Sequence, residues 1–153
     1  MSDEIQTSAE VAEASALRHG RAVHATPNCP PSAEQEPLPA NVAKKPVEQK
    51  SAAEWAYERL ILYIKNFESS LDAEHEVGMG LTDTGAGVLR IEGLGYFDPD
   101  IVTFYGNDAT GARVQLVQHV SQLNVVLRAN PKAIPTEPPR RIGFELARGL
   151  DDE

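Results

Sequence analysis

Apolar side chains enter this chain late and in two different rhythms. Ile5, Leu17 and Leu38 are the only aliphatics larger than valine in residues 1–50, and every Phe, Tyr and Trp lies after position 50. Tyr57, Leu60, Ile61, Ile64, Phe67 and Leu71 then recur three and four residues apart, the spacing that gathers one face of an α-helix. Ser51-Ala-Ala-Glu54 precedes them as a capping box, in which a serine oxygen accepts the amide three residues on and the glutamate reaches back. The pattern predicts a helix from Ala52 to near Leu71, with Glu58, Arg59, Lys65 and Glu68 on its other sides. Trp55 belongs to the core or anchors a neighbouring subunit.

The rhythm next shortens to two, the period of a half-buried strand. Val77, Met79 and Leu81 alternate with small residues, and Leu89 and Ile91 alternate with Arg90 and Glu92. Asp83 to Gly87 reads as a turn, Phe97-Asp-Pro-Asp100 as a tight turn, and Asn107 to Gly111 as a hairpin loop. Strands are predicted over Ile101 to Tyr105, Val114 to Val120 and Leu123 to Leu127. After a Pro-rich stretch from Pro131 to Pro139, Ile142, Phe144 and Leu146 alternate as a last strand. None of these connections could hold a crossover helix, so the sheet is antiparallel. The expected class is α+β: an N-terminal helix followed by a strongly bent antiparallel sheet of five to six strands, over residues 51–148.

Composition sets the segment before Ser51 apart. It holds six of the eleven prolines and no aromatic. So little apolar surface cannot offset the roughly 1–2 kcal/mol per residue that ordering the backbone costs. Residues 1–50 are therefore expected to be a disordered Pro-rich tail, in which Thr7 to Leu17 could form a short docking helix or remain unfolded. Residues 149–153 are expected to be a solvated acidic end. Of the net charge of −9, residues 51–153 carry −7, a sign that repels phosphate backbones. Cys29 is the single cysteine, which excludes an internal disulfide. No apolar run approaches the ~20 residues of a membrane span, and no basic-then-apolar leader is present. A cytoplasmic protein without membrane contact is the expectation.

Candidate chemistry is sparse. Asp98 and Asp100 could form a metal or acid/base pair, but a turn explains both, since Asp accepts nearby amides and Pro fixes φ. His19, His24 and Cys29 are soft ligands spaced by five, yet a structural zinc site takes four ligands and this spacing matches no common motif. Gly78/Gly80, Gly85/Gly87 and Gly93/Gly95 lack the third glycine and the helix of a phosphate-binding loop, so bending and close packing account for them. Ser121 and His119 share a strand face, without an orienting acid visible in the sequence. No catalytic residue, metal site or cofactor is expected.

Gly87-Val-Leu-Arg-Ile-Glu-Gly93 followed by Tyr96-Phe97-Asp98 resembles the first motif of the Sm/Hfq-like small barrels. Leu116-Val-Gln-His119-Val-Ser121 with Val125-Val126 is similar to their second. The likeness covers about residues 53–128, with an insertion near Gly85; the chain also resembles an uncharacterised bacterial domain family of unknown function. The Sm likeness implies a small barrel that assembles edge to edge into rings. It implies Gly93, Phe97 and Asp98 as structural turn residues, and Arg90, Gln118, His119 and Ser121 as ligand-contacting ones. His119 would line the pore of a ring, or is simply a strand histidine bonded to a neighbouring backbone group. Asp100 stands where the family carries a stacking aromatic, Gln118 where it carries a lysine, and Glu92 where it carries a glutamine. RNA or nucleotide binding is thereby weakened, by the lost base contacts and by the acidic charge. The functional expectation is a non-enzymatic, self-associating scaffold or binding module with a protein partner. The alternative is a monomeric α+β protein-interaction domain.

Overall fold

A computed structural model describes residues 21–36, 39, 42, 49–81 and 87–151. The expected segment from Thr7 to Leu17 and most of the Asp83–Gly87 turn lie outside these residues.

Helix α1 runs from Ala52 to Ser69. Ser51 caps it, its hydroxyl oxygen accepting the Glu54 amide at 3.0 Å, which satisfies one of the donors that a helix start leaves open. The same hydroxyl donates to Asp98 Oδ1 at 2.5 Å. A second open donor, the Ala53 amide, meets Pro99 O at 3.0 Å. The Phe97–Asp100 turn, whose Asp98–Pro99 peptide is cis, is thus docked on the N-terminus of α1.

Five strands follow: β1 (His75–Leu81), β2 (Val88–Phe97), β3 (Ile101–Asn107), β4 (Arg113–His119) and β5 (Val125–Pro131). All pairings are antiparallel, in the order β4-β3-β2-β1-β5. Among the described residues β1 meets β2 at Met79–Leu89 and Gly80–Val88, while it pairs β5 over seven residues. A bulge between Ile91 and Gly93 interrupts the β2–β3 ladder and leaves Glu92 as an extra residue. The protein is α+β, as the sequence indicates, but the sheet is not closed into a barrel; β4 and β5 are its open edges.

The core lies between α1 and one face of the sheet. Ala53 and Ile64 pack on Val77, Met79, Leu89, Ile91, Val102 and Phe104. A second cluster joins Trp55 and Ile61 to Val42 and Leu150, so Trp55 is a core residue. Val42, from the segment the sequence presents as a tail, is 1% exposed. Lys50, from the same segment, is buried with Nζ 2.7 Å from Glu58 Oε1 and 4.0 Å from the Trp55 ring centre. A 3-10 turn at Ala33–Gln35 lies against α1, where Asn66 Nδ2 donates to Pro31 O at 2.9 Å.

The expected sixth strand is instead helix α2, Gly143–Asp151. Ile142 and Leu150 are buried and Leu146 is partly buried, a spacing of four that marks a helix face. Phe144, which supplied the apparent alternation, is 64% exposed. The start of α2 is capped from α1: buried Glu68 accepts the Ile142 amide at 2.8 Å and the Gly143 amide at 2.6 Å. A carboxylate there also meets the positive end of the helix dipole. Gly143 is required at this crossing, because a Cβ would stand 2.7 Å from Lys65 Cα.

Candidate interaction surface

With α1 on one face, alternation places the intervening residues on the other. Phe97, Ile101 and His119 stand side by side on this outer face. The next ranks are Gly95 with Thr103 and Val117, Gly93 with Tyr105 and Gln115, then Arg90 with Asn107 and Arg113. Phe97 is 75%, Val117 57% and Tyr105 41% exposed. Tyr105 lies beside the glycines of β2. A Cβ on Gly93 would be 3.8 Å from its Cδ2, and one on Gly95 would be 3.7 Å from its Cε2. The ring extends along the glycine strip of β2, at ordinary contact distance from both.

Charge is concentrated toward the Arg90 end. Buried Glu76 accepts the Arg140 amide at 2.9 Å and lies 3.5 Å from Arg90 Nε. Glu92, pushed out by the bulge, accepts from Asn107 Nδ2 at 2.8 Å and lies 4.0 Å from the Arg140 guanidinium. The Pro-rich return segment is held near the start of β1 by Arg141, which donates to the carbonyls of His75 and Asp72 at 2.7 and 2.8 Å.

At the opposite end, His119 joins Asp100 and Ser121. Its Nδ1 accepts the Ser121 amide at 3.1 Å and lies 2.8 Å from Ser121 Oγ; Nε2 lies 3.2 Å from Asp100 Oδ2. Because Nδ1 accepts a backbone N–H, the neutral ring carries its proton on Nε2, toward Asp100. The orienting acid that sequence could not locate is thus Asp100. The ring nevertheless serves as the N-cap of the 3-10 turn Val120–Gln122, alongside Gln122 Oε1, which accepts the His119 amide at 2.9 Å.

The expected ligand residues do not converge. His119 and Ser121 meet, whereas Arg90 lies at the far end of the β3 ladder, about 20 Å away at ~3.4 Å per residue. Gln118 points to the inner face opposite Val102, with Nε2 3.4 Å from Gln122 O. Gly93 sits at the bulge, Phe97 ends β2, and Asp98 bonds Ser51. Sequence reasoning passed over Tyr105, Val117, Arg113 and Arg128. The available signal was the pair Gly93 and Gly95 on one side of β2, which leaves a bare strip for a cross-strand aromatic. Among the described residues no group of three or more His, Cys, Asp or Glu could hold a metal ion, and no helix is long and apolar enough to cross a membrane.

A helix-backed open sheet whose other face presents exposed Phe97, Val117 and Tyr105 among the described residues defines an α+β domain with a candidate interaction surface. Residues 45–145 match the model of a family of unknown function, DUF6173, and the chain belongs to that family. No curated protein and no solved structure matches the chain.

Proposed function

We propose that this domain is a non-enzymatic scaffold module, cytoplasmic and Sm-like, whose copies associate edge to edge with β4 of one against β5 of the next. The observation that carries this reading is the pair of open edges at the two ends of one sheet, each seven residues long. Unpaired edge groups are ready partners for another strand, and joining two different edges is a head-to-tail contact that closes into a ring or continues as a filament. The core also thins at both edges. Val114 and Leu116 on β4, and Val125 and Leu127 on β5, pack against it but remain only partly buried. A neighbouring copy would complete their burial. The order of one helix followed by five short strands agrees with the Sm resemblance. His119, committed to a cap, supports a binding role over a catalytic one.

Light scattering on the full chain tests this. A multimer that persists on dilution into the low micromolar range is the expected result, and a monomer at every concentration overturns it. A monomer would favour the second reading, an adaptor that meets another protein through exposed Phe97 and Val117.

A further inference from the structure

We infer that the back of α1 carries a binding site for an extended peptide with an aliphatic side chain, which the chain's own Val42 fills in cis as part of a releasable strap. The site lies away from the sheet edges, so the inference goes beyond the scaffold reading and stands whether the chain is a monomer or a multimer.

Trp55, Glu58, Leu62, Asn66 and Ser69 recur three and four residues apart on α1. They form a stripe turned away from Ala53, Leu60, Ile64 and Phe67, which meet the sheet. The segment before α1 follows that stripe in reverse. Asn66 Nδ2 donates to Pro31 O and Glu36 Oε1 at 2.9 and 2.5 Å, Pro39 lines a small cavity with Leu62, and Val42 clusters with Trp55, Ile61 and Leu150. Lys50 supplies the polar contact. Its side chain is 1% exposed, and its ammonium, with three protons to give, meets Val42 O, Glu58 Oε1 and the face of Trp55. Glu58 and the ring thereby aim the cation at a main-chain carbonyl, which any peptide offers. The apolar cluster takes the side chain of the same residue, which selects an aliphatic one. Two observations separate the site from its occupant. The family's extent, residues 45–145, includes Lys50, Trp55, Glu58 and Ile61 but not Val42. Among the described residues from 21 to 42, Val42 alone is buried. One buried valine does not offset the ordering of a Pro-rich segment, so the strap leaves α1 more readily than the sheet unfolds.

Trp55 is the single tryptophan, so its emission reports on the site. In the full chain, Val42→Asp is expected to shift that emission to the red and to raise its quenching by acrylamide, with the far-UV circular dichroism unchanged. A synthetic peptide of residues 31–44, added to this variant, is expected to reverse the shift saturably. The same peptide carrying Val42→Asp should bind about tenfold more weakly or worse, and Lys50→Met in the receiving chain should cost a similar factor. Hydrogen exchange on the unaltered chain decides the matter if Val42→Asp does not fold. There the Val42 amide, bonded to Pro39 O at 3.0 Å, is expected to exchange about a hundredfold faster than that of Phe104, or more. Equal protection at the two overturns the inference and makes Val42 an ordinary part of the core. So does Trp55 emission that Val42→Asp leaves unchanged, a peptide that fails to bind the variant, or peptide binding indifferent to Val42.

Discussion

Phe104 and Tyr105 are consecutive residues of one strand with opposite fates. Phe104 is fully buried beneath α1, while Tyr105 lies on the far side of the sheet against glycines. The whole sheet divides this way. Its inner face is filled by Val77, Met79, Leu89, Ile91 and Val102. Its outer face has glycine at positions 78, 80, 93 and 95, with charged and aromatic residues between. Burying a large apolar side chain contributes roughly 1.5–3 kcal/mol, so stability comes chiefly from the inner face. The outer face is thereby free to vary with whatever it meets.

The sharpest way to break this comparison is to truncate the two neighbours in turn. Phe104→Ala should cost about 3–5 kcal/mol through the cavity it leaves. Tyr105→Ala should cost less than about 1.5 kcal/mol. Chemical denaturation measures both, and equal losses would show that the outer face also carries the fold. Next in size is Glu68→Ala, which strips the cap from α2 and leaves two buried amides unpaired. A loss of about 1–3 kcal/mol is expected, with faster hydrogen exchange at Ile142 and Gly143 than in the sheet.

A smaller effect belongs to the rim, where neither face contributes. Asp108 is held below the usual carboxylate range, first by the Thr110 hydroxyl and then by the amides of Ala112, Thr110 and Gly111. A depressed value in the folded state stabilises the protein above the unfolded pKa, and that contribution is lost as pH falls through the folded one. Asp108→Asn should therefore flatten the fall of the urea midpoint below about pH 4; an unchanged acid limb would remove Asp108 from that account. Asp72, lowered chiefly by its bond to His75, acts in the same direction. The smallest change expected is Val117→Lys, within about 0.5 kcal/mol of zero by denaturation because the side chain is exposed.

Much of the scaffold was legible because periodicity is a local property. Ser51 and the Tyr57–Leu71 spacing marked α1, and alternation marked the five strands, although β2 extends to Phe97 beyond the alternation at Leu89 and Ile91 and β5 is Val125–Pro131 where Leu123 to Leu127 was expected. Phe144 misled, because two apolar neighbours at a spacing of two outweighed the spacing of four that links Ile142, Leu146 and Leu150. Glu68, 74 residues upstream of Ile142, caps that segment as a helix, and a contact so distant leaves no local trace. Val42 and Lys50 were hidden for a related reason: composition averaged over fifty residues conceals two that pack. The candidate surface was least legible, since Leu116 and Val117 are alike in sequence and only the register separates the inward from the outward one.

The bulge at Glu92 has a consequence for how this strand tolerates length change. Inward positions on β2 are odd-numbered before it, Leu89 and Ile91, and even-numbered after it, Leu94 and Tyr96. Deleting Glu92 would remove the extra residue and close the ladder with Ile91 opposite Gly106 and Gly93 opposite Tyr105 as now, so Leu94 and Tyr96 would stay inward and Gly93, Gly95 and Phe97 outward. Elsewhere in β2 a single-residue insertion or deletion would exchange one surface of the protein for the other, whereas at Glu92 the loss of one residue leaves it the same molecule.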